Sequence, residues 1–121
     1  MLNLRRCVVG VVAVLLVSGV ALAQTSETAF IAELRAKANA GDANAQFNLG
    51  VMYYTGLGVP QDYVEAHKWH NLAASRASTE NRKTFAESRD ALAEKMTPQQ
   101  IADAQKRATE WLAAFEQRGG K

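Results

Sequence analysis

The chain reads as all-α, a short α/α solenoid of about five helices. Three observations predict this. No segment alternates polar and apolar residues as a half-buried strand does. Alanine, the strongest helix former and small enough to let helices approach closely, occurs 19 times between Gln24 and Lys121. Apolar residues recur every three or four positions in successive stretches, most of them bounded by cap or turn residues.

The segment ahead of these stretches reads as a cleaved signal peptide spanning 1–23. Arg5 and Arg6 supply a positive start, Val8 to Val17 is an almost unbroken apolar run, and Ala21-Leu22-Ala23 is a small-x-small cleavage site before Gln24. The apolar run is short for a membrane span, so stable membrane insertion after cleavage is not expected. The destination this predicts is secretion across the inner membrane, into the periplasm. Cys7, the only cysteine, leaves with the leader, so the domain at 24–118 folds without a disulfide. Removing Arg5 and Arg6 from the 14 basic residues leaves 12, equal to the 12 acidic ones. A near-neutral mature chain argues against nucleic acid or an anionic membrane as partner.

The first helix is expected from about Glu27 to Asn39, capped by Thr25 or Ser26, with Phe30, Ile31, Leu34 and Ala38 as its buried face. Gly41 ends it and Asp42 caps the second, about Ala43 to Thr55. Ala45, Leu49, Gly50 and Tyr53 share one face of this helix, and Phe47, Val51 and Tyr54 an adjoining one. Two apolar faces predict packing on two sides. Gly50 costs roughly 1 kcal/mol of helix propensity against alanine, which predicts a close approach by the next helix. Gly56-Leu57-Gly58-Val59-Pro60 turns the chain. Without a Lys-Ser/Thr pair or a preceding strand, it is not a phosphate loop.

Asp62 and Glu65 have the spacing of a capping box for the third helix, where Ala66, Trp69, His70 and Ala73 fall on one face. The fourth helix, about Glu80 to Lys95, is anchored by Phe85, Leu92 and Met96. Its alternating charges, Asp90 and Glu94 among them, read as a solvated face. Thr97-Pro98-Gln99-Gln100 opens the fifth with a capping threonine, proline at the first position and glutamine at the third. Its stripe is Ile101, Ala104, Ala108, Leu112 and Phe115, flanked by Trp111, and 119–121 is a loose tail.

The residues Ala43, Ala45, Leu49-Gly50, Tyr53, Gly56, Gly58-Val59, Pro60, Asp62, Ala66, Trp69 and Ala73-Ala74 carry a family resemblance. This stretch, about 42–77, resembles the Sel1-like repeat, a relative of the tetratricopeptide repeat, in a small secreted bacterial-type member. The helices at 27–40 and 80–116 look like degenerate flanks that cap it. The resemblance implies a solenoid that binds proteins or peptides, with no catalytic residues and no cofactor. A single hairpin cannot bury both its faces, which agrees with flanking caps.

Few residues compete for chemistry. His67 and His70, three apart, are the alternative: a small metal-binding or hydrolytic protein. No third ligand is forced onto their face, and the plainer expectation is a partly buried His70 beside Trp69 and a solvated His67. No Ser-His-Asp constellation is present in any motif. Tyr53, Tyr54, Tyr63 and Trp69 are core residues in the plain reading, or the lining of a ligand groove in the sharper one. An interaction surface is expected on the side of the second helix turned from its neighbours, at Asn44, Asn48, Met52 and Thr55. The expected role is an adaptor or scaffold gripping an unidentified protein or peptide. A third alternative is a structural subunit that forms a homodimer through its solenoid ends.

Overall fold

The computed structural model describes residues 27–120. The chain divides into two compact units, Met1–Ile31 and Ala32–Lys121. The signal-peptide reading of 1–23 and the caps Thr25 and Ser26 lie outside the described residues. Of the first unit, 27–31 is helical. There Phe30, expected in the buried face, is 60% exposed.

Every expected helix is present: α1 at 27–39, α2 at Ala43–Thr55, α3 at Tyr63–Arg76, α4 at Thr79–Ala93 and α5 at Pro98–Gln117. Among the described residues there is no strand. Asp42 caps α2 by accepting from the Ala45 amide at 2.9 Å. Gly56 ends α2 in the left-handed region, φ +75°, and its N–H donates to the Met52 carbonyl. Asp62 then caps α3, accepting from the Val64 and Glu65 amides at 2.9 and 3.1 Å. The expected capping box is only half built, because Glu65 bonds Lys68 and Arg107 instead of returning to the Asp62 amide. At α5 the box is complete. Thr97 accepts from the Gln100 amide at 3.1 Å, and the Gln100 side chain accepts from the Thr97 amide at 2.9 Å.

Within the second unit α3 is the central helix, packed on α2, α4 and α5. One core cluster joins Leu34 and Ala38 of α1 to Ala45 and Leu49, to Trp69 and Leu72, and to Ala108. A second joins Ala66 to Leu92, Met96 and Ala104, and a third gathers Ala73, Ala74, Ala77 and Phe85. The anchors expected of α4 and α5 are thus in place. Polar links reinforce the frame. Gln46, fully buried, donates to the Ala38 carbonyl at 3.1 Å, and Trp111 Nε1 donates to Asn39 at 3.1 Å. Arg76 Nε donates to the Gly41 carbonyl at 2.9 Å, with its guanidinium 4.5 Å from the Phe115 ring centre. Beyond α5, the Gly119 and Gly120 amides donate to the Glu116 and Phe115 carbonyls at 3.0 Å each.

α3 approaches α2 closely at Gly50. A Cβ built there would lie 2.3 Å from Cδ2 and 2.6 Å from Nε2 of His70, and 3.2 Å from the Ala66 carbonyl oxygen. The helix gives up roughly 1 kcal/mol of propensity so that a flat imidazole can lie across its backbone.

Candidate functional site

An apolar groove of about 390 Å³ runs between α2 and α4. From α2 it takes Phe47, Val51, Tyr54 and Thr55. From α4 and the turn after it come Ser88, Ala91, Leu92 and Lys95. His70 of α3 contributes between them. The α2 residues follow helical spacing, so one flank of α2 forms a continuous wall. The expectation that α2 packs on two sides holds at Phe47 and Tyr54, which pack against two of the core clusters, and fails at Val51. Its Ala45–Leu49 side is buried, whereas Val51 on the other is 37% exposed and faces the groove.

Aromatic stacking fixes the wall. The Phe47 ring lies between those of Phe85 and His70, with centroids 4.3 and 5.1 Å away and planes within 9° and 22°. Tyr54 stacks on Tyr63 at 5.7 Å. At one end, the Lys95 ammonium donates to Tyr54 Oη and sits 5.0 Å from that ring's centre.

Both histidines are buried: His70 is 4% exposed and His67 3%. The expected solvated His67 is therefore corrected. One apolar face was assigned to α3, but three helices cover it, and the flank bearing His67 lies under α4 beside Arg89 and Asp90. Neither His70 nitrogen, nor His67 Nδ1, has a hydrogen-bond partner. Burial holds the His70 pKa down at about 4, with neighbouring His67 adding to the effect. Burial likewise lowers that of His67, Arg89 adding to the shift and Asp90 opposing it. The His70 imidazole is therefore neutral at pH 7.

The hydroxyls near His70 are engaged elsewhere. Ser88 donates to the Thr84 carbonyl at 3.1 Å, and Thr55 to the Val51 carbonyl at 2.9 Å. Among the described residues no three potential metal ligands come together. Nor is any described helix long and apolar enough to cross a membrane.

Of the interaction surface expected on α2, Asn44, Asn48 and Thr55 are exposed, and Met52 is half-buried against the core. Only Thr55 reaches the groove. Val51 and Lys95, central to it, were absent from that expectation. The signal for Val51 was the second apolar flank of α2, which was assigned to packing. Of the four aromatics weighed for a groove, Tyr54 lines it, while Trp69 lies in the core and Tyr53 and Tyr63 pack against it.

Helical hairpins stacked through small residues around α3 define an all-α, helical-repeat type of fold. More narrowly, residues 43–78 match the Sel1 repeat family model. Sel1 repeats generally act as non-catalytic scaffolds for protein–protein interaction. No curated protein and no solved structure matches the chain.

Proposed function

We propose that the protein is an exported helical-repeat adaptor that docks a segment of a partner protein in the groove between α2 and α4. The observation that carries this is the apolar wall of Phe47, Val51 and Tyr54, on the very hairpin that matches the Sel1 repeat. Large, rigid aromatic anchors beside an accessible aliphatic one are the elements from which interfaces draw most of their energy. Asn44 and Asn48 continue the exposed surface of α2 and would form its polar rim. Export is supported by Arg5 and Arg6, the apolar run after them, and Ala21-Leu22-Ala23.

A photo-crosslinking side chain at position 51 tests the docking. It should trap one discrete partner, whereas the same group at Lys106, exposed on α5, which lends no residue to the groove, should not. Equal adducts at both positions, or none at 51, would sink this reading. Export predicts that protein recovered from the periplasmic fraction begins at Gln24. A chain retained in the cytoplasm with Met1 intact would remove that half of the proposal.

A further inference from the structure

The groove is apolar along its walls but carries a cation at one end, and that cation is unusual among the described residues. Lys37, Lys68, Lys83 and Lys106 each pair with a glutamate three or four positions away on their own helix. The positions three and four before Lys95 hold Leu92 and Ala91, both lining the groove, and those after it hold Pro98 and Gln99. Lys95 has no carboxylate partner among the described residues; it is held instead by Tyr54 Oη. An ammonium has three donors, so two remain for an occupant. We propose that the groove selects peptide segments in which an apolar side chain is followed by a carboxylate, and that Lys95 is the selecting residue. This rests on the groove being the docking site.

Geometry also separates a peptide from an acidic lipid, which shares an apolar body and a carboxylate. Thr55 and Ser88 spend their hydroxyl protons on carbonyls of their own helices. Thr55 Oγ1 also accepts from the Leu57 amide at 3.4 Å, which leaves its second lone pair and the Ser88 hydroxyl oxygen as acceptors; a peptide backbone brings N–H donors to meet them, whereas a fatty-acid carboxylate brings none. A volume of about 390 Å³ accommodates a short side-chain cluster, not a whole helix. Phe47, Val51 and Leu92 would hold the apolar residue, and Lys95 would meet the acidic one at the mouth.

The test uses the full chain and three labelled pentapeptides, acetylated and amidated: Ala-Leu-Leu-Ala followed by Glu, Gln or Lys. Affinities are read by fluorescence anisotropy in low salt. The Glu peptide should bind about threefold to fivefold more tightly than the Gln peptide, as expected of a partly exposed ion pair, and the Lys peptide most weakly. Lys95→Gln should erase the ranking without abolishing binding, and 0.5 M salt should compress it. Val51→Asn, at an exposed position, should weaken all three. If the peptides bind equally and Val51→Asn weakens them all, the groove remains the docking site but the acidic preference is overturned. Binding indifferent to Val51→Asn overturns the groove itself. Laurate displacing the Glu peptide while Lys95→Gln keeps the ranking, or no peptide binding at millimolar concentration, also overturns the proposal.

Discussion

His70 fills a slot that only its neighbours' shapes permit, between Gly50 and Phe47, with no partner for either ring nitrogen. That arrangement has a pH signature. The unfolded chain takes up a proton near the ordinary histidine pKa of 6.5, whereas the folded chain resists until about 4. A depressed folded pKa on a base means the unfolded state binds more protons between these values. Stability is therefore full above pH 6.5 and falls as the pH drops toward 4, by about 3 kcal/mol in all for His70. His67 shifts in the same direction. Urea melts at pH 7.5 and 4.5 should show the loss, and His70→Phe should flatten the dependence. An unchanged slope in that variant would clear His70 of responsibility. Gly50→Ala should destabilise despite its gain in helix propensity, because a Cβ 2.3 Å from a buried ring has nowhere to go.

At the scale of elements, what was legible in the sequence is what is local. Asp42, Asp62 and Thr97 cap their helices because an acceptor and the amides it serves lie within three residues of one another. Thr97→Ala should cost about 1 kcal/mol and lower Tm by about 4–8 °C, while Thr97→Asp should not. A melt of Thr97→Ala matching the parent would show that α5 does not depend on its cap. The Glu65 half of the α3 box went astray because one of its two competitors comes from a distant part of the sequence. Arg107 of α5 lies 2.8 Å from Glu65 and Lys68 lies 2.7 Å away. Burial alone would raise the Glu65 pKa, but these two cations outweigh it and hold the carboxyl below its usual range. The groove was illegible for a related reason. Helical spacing shows that α2 has two apolar flanks, but which one is covered depends on where α4 runs, and that is set by packing on α3.

Across the whole molecule, α3 carries the architecture. It supplies Trp69 and Leu72 to one cluster, Ala66 to another, and Ala73 and Ala74 to the third. Trp69→Ala should cost roughly 3 to 5 kcal/mol, comparable to the entire stability of a domain this size. Circular dichroism of that variant should show loss of cooperative melting, and a Tm within a degree or two of the parent would remove Trp69 from the core. The all-α class and the order of helices were readable because hydrophobic period and alanine content act along the whole chain. The burial of His67 was not, since it follows from three helices converging on α3, a property of no single segment.

Trp69 and Trp111 are the only two tryptophans, and their rings meet edge to face with centroids 5.9 Å apart. Intrinsic emission excited at the red edge therefore watches the cluster where residues of α1, α2, α3 and α5 meet, apart from the groove. Tyr54 is the chromophore on the other side, beneath the Lys95 ammonium. The chain thus carries two separate optical reporters. An occupant entering between α2 and α4 should perturb tyrosine absorbance and leave tryptophan emission still, whereas loosening of the scaffold should change tryptophan emission.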